Sequence, residues 1–445
     1  MKKMLLALGL AAACTANAFA GETLQLKLLP DREVLLKNSP QEVVVKIDLS
    51  AIAAKKKPRH TPLNLAVVID KSGSMRGAKL ERTKQAAMQL VDRLAANDVF
   101  SLVTFSDHAQ VLVAAQKAGD KDAKDALKEK IESIEADGST ALYAGVKLGA
   151  DQLGEYLSAK RINRVLLLSD GLANVGPSTP RELRRFGSDL AERGIAVTTI
   201  GVGDDYNEDL MAGLAEASDS NYYYVQDTEK LPQIFAHEFN EMVSIAVRDV
   251  RIEIICPDGV QPLGFIGRPE KFSGQQAVVN LNQLTTGQNR YLFLRCRVNG
   301  TPPEIAQAKI HYLDELNGGQ AESADGVAKV HFTDDQAAAD KSVNGLVFAQ
   351  KELMLTAVAK DEAIAQADAG NYKQAAAILQ AQNRALGLTL SDAPASAQQQ
   401  IRAETDNLNT LTGDISSAGF GGGSFNGSAT RKTIQAQSYN TRNSK

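Results

Sequence analysis

Between residues 63 and 245, short and continuously apolar segments alternate with amphipathic segments of helical period. LNLAVVID (63–70), VFSLVTF (99–105) and RVLLLSD (164–170) are three of the apolar segments. Strands that are apolar on both faces and separated by helices predict a Rossmann-like α/β domain, with a mainly parallel sheet between two helix layers. In such open sheets ligands bind at the carboxyl ends of the strands, so functional residues are expected there.

The segments on either side show the period-two alternation of half-buried strands. TLQLKLL (23–29) and VVVKIDL (43–49) are examples before the α/β segment, and residues 246–335 continue the pattern with Pro-Asp-Gly and Asn-Gly turns. We predict that residues 21–62 and 246–335 form one β-sandwich into which the α/β domain is inserted, because the ends of a domain commonly lie close together. Two separate small β units are the alternative.

The C-terminal part of the chain changes composition twice. Residues 340–412 are rich in alanine, glutamine and leucine at helical spacing, with a break at Ala369-Gly370, which predicts a helical hairpin or small bundle. Residues 413–445 contain the run GFGGGSFNGS and a basic end. That composition predicts a flexible tail with a solvated terminus.

The N-terminus has the features of a secretory signal. Residues 1–20 carry two lysines, an apolar run and a small-residue end at Ala18-Phe19-Ala20, so cleavage is expected after Ala20. Lipidation at Cys14 is an alternative. Export predicts a periplasmic or secreted protein. After residue 20 no apolar run approaches the roughly 20 residues that cross a bilayer, so no transmembrane segment is predicted.

Net charge and cysteine content limit the possible partners and crosslinks. Loss of Lys2 and Lys3 changes the formal charge from -4 to -6, and an acidic chain gives no reason to expect nucleic acid as a partner. Cys256 and Cys296 would remain, each in line with the apolar face of a predicted strand. In an oxidising compartment they are candidates for a disulfide, and two buried free thiols are the alternative.

Oxygen-bearing side chains cluster where predicted strands end. Asp70, Ser72 and Ser74 lie at and just after the end of the first apolar strand. Thr140 lies on a second loop just before a helix, and Asp170 lies two residues after the strand RVLLL. Magnesium prefers near-octahedral oxygen coordination and is usually held by one or two protein carboxylates. The cluster therefore predicts a Mg²⁺ site, and Mn²⁺ or Ca²⁺ accepts similar ligands. Two carboxylates leave the ion short of negative charge, so it should attract an outside carboxylate.

The same residues carry a family resemblance. D-x-S-x-S at Asp70, with a threonine at position 140 and an aspartate at position 170, resembles the metal-ion-dependent adhesion site of von Willebrand factor A (VWA) domains. The resemblance covers residues 63–245 and includes VVIDKSGSM, GSTAL and LLLSDG. The flanking segments resemble bacterial exported proteins and, distantly, inter-alpha-trypsin inhibitor heavy chains.

The resemblance implies how the site would work. The serines, and in some states the threonine, would ligate the metal directly, and the aspartates would act largely through water. A glutamate or aspartate of a partner protein would supply the sixth ligand. The simpler interpretation is that Asp70 and Ser72 form only a turn that caps the next helix, since both residue types favour that position.

Enzyme classes fit the pattern less well. A metal-dependent hydrolase or phosphotransferase that uses Asp70 is the alternative, but a phosphotransferase of the haloacid-dehalogenase type needs a second aspartate at position 72, where this chain has serine. No G-x-S-x-G motif occurs, and Glu241 replaces the second histidine of H-E-x-x-H after His237. We therefore predict an exported adhesion or scaffolding protein that is not an enzyme.

Overall fold

A computed structural model of the chain describes residues 23–37, 39–52, 61–173, 175–419 and 429–443. The predicted signal peptide and the lipidation alternative at Cys14 lie outside these residues. The strands are β1 (Leu24–Pro30), β2 (Val34–Leu36), β3 (Gln41–Ala51), β4 (Leu63–Asp70), β5 (Val99–Phe105), β6 (Ala109–Lys117), β7 (Ile162–Ser169), β8 (Ala196–Val202), β9 (Tyr222–Val225), β10 (Ile245–Ile255), β11 (Val260–Phe265), β12 (Gln276–Thr285), β13 (Asn289–Val298), β14 (Glu304–Asp314), β15 (Gln320–Lys329) and β16 (His331–Thr333).

The helices occupy the gaps in the α/β segment and the C-terminal part of the chain. They are α1 (Ala78–Arg93), α2 (Lys121–Glu132), α3 (Leu142–Leu153), α4 (Pro180–Glu192), α5 (Glu208–Ala217), α6 (Leu231–Val243), α7 (Gln336–Asp340), α8 (Gly345–Asp368), α9 (Tyr372–Thr389), α10 (Ala395–Gly419) and α11 (Ala429–Arg442).

The α/β segment forms a six-stranded sheet in the order β6-β5-β4-β7-β8-β9. Only β6 runs antiparallel to its neighbour. Every residue of β4, β5, β7 and β8 is buried, because α1, α2 and α6 cover one face of the sheet and α3, α4 and α5 cover the other. The predicted α/β fold with a mainly parallel sheet is confirmed.

The register of the two central strands positions the predicted site. β4 pairs with β7 in parallel from Leu63 opposite Ile162 to Ile69 opposite Leu168. The next residues on each strand, Asp70 and Ser169, are therefore neighbours at the carboxyl edge of the sheet.

The strands on either side of the α/β segment do share a sheet. One sheet has the order β1-β3-β13-β11 and the other β12-β10-β14-β15. β3 lies between β1 and β13, antiparallel to both. The inner faces of both sheets contribute to one apolar core, which includes Val45, Ile47, Ile252 and Ile310. The six-stranded domain is thus inserted between β3 and β10 of a sandwich.

The two cysteines face each other across this sandwich. Cys256 directly follows β10 in one sheet and Cys296 lies in β13 of the other, and both are buried. Their Sγ atoms are 4.0 Å apart, and the thiols are free. A hydrogen bond between them lowers the pKa of Cys256 and raises that of Cys296. The structure brings the predicted pair together without a bond.

We propose that Cys256 and Cys296 form a disulfide on oxidation. Oxidised protein should show no reactive thiol from this pair under denaturing conditions, and reduction should release two. Because the bond would join the two sheets, we expect it to stabilise the fold by about 2–4 kcal/mol. Thiol titration and urea unfolding of the wild type and of Cys256→Ser/Cys296→Ser test this. Two reactive thiols after oxidation would refute it.

The predicted helical region is present and is larger than expected. α8, α9 and α10 follow one another, and Gly370, at the predicted break between α8 and α9, has a φ of 81° that favours glycine. Their shared core includes Leu353, Leu379, Ile401 and Leu408.

The prediction of a flexible tail from residue 413 was wrong for most of the described residues. α10 continues to Gly419, and residues 429–442 form α11. Residues 420–428 and 444–445 lie outside the described part of the chain. Within the described part of the basic end, Arg431 and Lys432 are 5% and 0% exposed, so these two side chains are not solvated.

Carboxylates far away in the sequence explain why α11 is docked. Arg431 pairs with Glu208, with Asp209 at 3.0 Å and with Asp368 at 2.6 Å, so it joins α5 to α8. Lys432 donates to Glu208 at 2.7 Å and to the carbonyl of Tyr206 at 2.9 Å. A basic helix whose charges are paired in this way can be buried.

Lys432→Met should loosen α11, because it leaves Glu208 buried with one of its two cationic partners. We expect hydrogen exchange of residues 429–442 to become about 30-fold faster, equivalent to about 2 kcal/mol. Hydrogen exchange read by mass spectrometry measures this, with Lys341→Met at an exposed lysine as the control. Equal exchange in the two variants would show that the ion pair does not hold the helix.

Candidate metal site at the carboxyl edge of the sheet

Asp70 organises the first loop of the candidate site. It is the last residue of β4 and is fully buried. Its Oδ1 accepts a hydrogen bond from the backbone N–H of Ser72 at 2.8 Å, and its Oδ2 accepts one from Ser169 Oγ at 2.5 Å. The first bond forms the turn that the simpler interpretation expected. The second bond fixes the carboxylate to the neighbouring strand β7.

The hydroxyls of this loop do not cap a helix. A short 3₁₀ turn at Gly73–Met75 starts after Ser72, but the Ser72 side chain makes no capping hydrogen bond to it. α1 has Gly77 at its N-cap. Ser72 Oγ instead lies 3.1 Å from Ser74 Oγ. The capping interpretation therefore accounts for the backbone of this loop but not for its hydroxyls.

Asp170 connects the first loop to the loop after β7. Its side chain is fully buried, and its Oδ1 accepts a hydrogen bond from Ser74 Oγ at 2.7 Å. Ser72, Ser74 and Asp170 thus form one continuous chain of polar contacts. Because Ser74 itself is exposed, this chain reaches from the buried strand ends to the surface.

Thr140 comes to the same edge on the loop before α3. The backbone N–H of Gly73 donates to the carbonyl of Gly138 at 3.0 Å, which holds the two loops together. A Cβ at Gly171, the residue after Asp170, would lie 2.6 Å from Thr140 Oγ1. Glycine is therefore needed at position 171, and the Thr140 hydroxyl lies beside the Asp170 loop. All five predicted residues converge.

The donor set fits a hard cation. Two carboxylates and three hydroxyls offer only oxygen atoms, which suit Mg²⁺, Mn²⁺ or Ca²⁺ and not a metal that prefers thiolate or imidazole. Among the described residues no group of three or more histidine, cysteine, aspartate or glutamate side chains could hold a metal. This site does not form such a group because hydroxyls supply three of its five side chains.

The sequence did not indicate that one charged side chain lies next to the candidate site. Lys79, in the first turn of α1, places its Nζ 2.5 Å from Asp170 Oδ2. A lysine five residues after Ser74 has no diagnostic spacing, and the contact depends on how α1 leaves the loop. Its position relative to Asp170 could be found only from the structure.

Burial makes Asp70 a weaker acid than an exposed aspartate. It raises the pKa of Asp70 to about 6, even though hydrogen bonds from Ser169 and Ser72 act to lower it. The nearby Asp170 charge also raises this pKa. In metal-free protein the folded state therefore binds the proton more tightly than the unfolded state does. The free energy of unfolding should fall as pH rises from about 4 to about 6.

Asp70→Asn should remove this pH dependence in metal-free protein. Relative to the wild type, the variant should gain about 2–3 kcal/mol in free energy of unfolding between about pH 4 and pH 7.5, because it carries no buried charge at the higher pH. Urea unfolding in the presence of a chelator at several pH values measures the difference. Asp189→Asn, at an exposed aspartate of α4, is the control. Parallel pH profiles of wild type and Asp70→Asn would contradict the expectation.

Comparisons with known proteins agree with the fold. Residues 64–237 match the family model described as von Willebrand factor type A domain. A solved structure described as von Willebrand factor type A from Catenulispora acidiphila superposes with a TM-score of 0.67 at 18% identity. The superposition covers 89% of this chain and 91% of that one, so the similarity of fold extends beyond the matched domain.

Two curated relatives match part of this chain. Uncharacterized protein sll0103 of Synechocystis sp. is 29% identical over 60% of this chain and 66% of its own length. Human inter-alpha-trypsin inhibitor heavy chain H3 is 29% identical over 35% of this chain and 18% of its own length. The matched part thus spans less than two thirds of either relative.

Proposed function

We propose that this chain, whose residues 64–237 match the VWA family model, is a non-enzymatic binding protein that captures a carboxylate of a partner protein through a divalent cation. VWA domains generally mediate protein–protein interaction. The partner would present an aspartate or glutamate side chain. The flanking sandwich and helices would hold the domain in a larger adhesion or scaffolding protein.

The proposal rests on the contacts that the Ser72 and Ser74 hydroxyls make. Ser72 and Ser74 lie 3.1 Å apart, and Ser74 contacts Asp170 in turn, although neither serine caps α1. These hydroxyls place neutral oxygen atoms beside a buried carboxylate at the edge of the sheet. This arrangement is well suited to hold a cation.

The residues also suggest why an outside carboxylate would bind. Ser72, Ser74 and Thr140 would hold the ion with neutral oxygens, and Asp70 and Asp170 would supply negative charge from behind them. A bound divalent cation provides a Lewis-acidic centre that attracts an anionic ligand. The exposed position of Ser74 leaves that ligand a route from solvent.

The position of Ser72 argues against phosphotransfer by Asp70. The Ser72 backbone N–H donates to Asp70 Oδ1, and the side chain at this position is a hydroxyl where that reaction needs a second carboxyl group. The buried Asp70 oxygens are also both occupied by hydrogen bonds. Binding rather than turnover is the function that this geometry favours.

Export remains part of the proposal. The signal-like residues 1–20 support a periplasmic or secreted location, where a partner surface could be reached. Among the described residues no helix is both long and apolar enough to cross a bilayer.

Isothermal titration of Mg²⁺ and then Mn²⁺ into the chelator-stripped chain tests the metal site. We expect about one ion per chain for the wild type and no binding by Ser72→Ala/Ser74→Ala, because both direct oxygens would be removed. Ser416→Ala/Ser417→Ala on α10 is a matched control, since these serines bond only to backbone carbonyls of their own helix. A wild type that binds neither ion, or a double variant that binds as well as the control, would overturn the proposal.

A further inference from the structure

Lys79 places a fixed positive charge against one of the two site carboxylates. Its Nζ lies 2.5 Å from Asp170 Oδ2, and the Asp170 side chain is fully buried. The other oxygen of Asp170 accepts from Ser74. The aspartate is therefore shared between the candidate metal site on one side and an ammonium group on the other.

The absence of a side chain at Gly203 leaves room for this ammonium group. A Cβ at Gly203, in the turn after β8, would lie 3.3 Å from Lys79 Nζ, and Gly203 has a φ of 72°. The Lys79 side chain thus runs between that turn and Asp170. By contrast, Lys71, within the first loop, turns away to Asp137, 2.5 Å from its Nζ. Lysine near the site does not by itself lead to contact with a site carboxylate.

The net charge at the candidate metal site determines how Lys79 would affect the binding of a cation. Asp70 and Asp170 together carry two negative charges, and Lys79 cancels one of them. A divalent ion would then leave the centre with a net charge of about +1 rather than zero. Repulsion from Lys79 should weaken binding of the ion alone, and the residual positive charge should favour an anion that binds with it.

We propose that Lys79 sets the charge of the metal site, so that a divalent cation and an outside carboxylate bind cooperatively. This inference rests on the proposed function and adds the mechanism by which the site requires an acidic ligand. Because coupling between two ligands is reciprocal, the carboxylate should raise metal affinity by the same factor by which the metal raises carboxylate affinity. Lys79 acts here by its positive charge, which lies against Asp170.

Titration of Mn²⁺ into the full chain, with and without a peptide that contains one glutamate, tests this proposal. We expect Lys79→Met and Lys79→Gln to bind Mn²⁺ about tenfold more tightly than the wild type without peptide, and to lose most of the gain that the peptide gives the wild type. Lys79→Arg should resemble the wild type, because it keeps the charge. Lys147→Met is the matched control, because Lys147 pairs with Asp151 at 2.7 Å elsewhere in the same domain.

The outcomes separate the two proposals. If the wild type binds no Mn²⁺, the proposed metal site fails and the role of Lys79 fails with it. If the wild type binds Mn²⁺ and the neutral variants bind it equally or more weakly, Lys79 only holds Asp170 in place, and this inference alone is overturned. Circular dichroism of each variant identifies any loss of fold, and two neutral variants guard against one that fails to fold.

Discussion

The parallel pairing of β4 with β7 is the constraint on which the site depends. It makes Asp70 and Ser169 neighbours, and the hydrogen bond between them, at 2.5 Å, fixes the buried carboxylate where the two strands end. Asp170 then follows within one residue. Both strands are buried on both faces, so a one-residue slip would exchange the side chains that pack on the two helix layers and would move Asp70 away from Ser169.

The chain enters the α/β domain at the end of the sheet opposite the candidate site. β4 starts at Leu63, close to the sandwich, where Thr61 donates to Glu315 at 2.8 Å. With about 3.3 Å per residue, the strand carries the chain roughly 20 Å to Asp70. The site edge is thus separated from the entry of the chain into the domain.

Local pattern predicted the parts of this protein that depend on neighbours in sequence. The apolar strands, and the polar residues that end them, led to the α/β fold and to all five site residues, which the structure brings together. Lys79 was missed because its contact with Asp170 depends on the path of a helix. α11 was missed because its buried charges are paired with residues more than 60 and more than 200 positions away, such as Asp368 and Glu208.

The proposed function depends on a divalent cation held by the five site residues. Anomalous diffraction from crystals soaked in Mn²⁺ tests it most directly, because it locates the ion and its ligands together. We expect one strong peak within coordination distance of the Ser72 and Ser74 hydroxyls and close to Asp70 and Asp170. Mn²⁺ bound elsewhere on the chain, with these hydroxyls still hydrogen-bonded to each other, would contradict it.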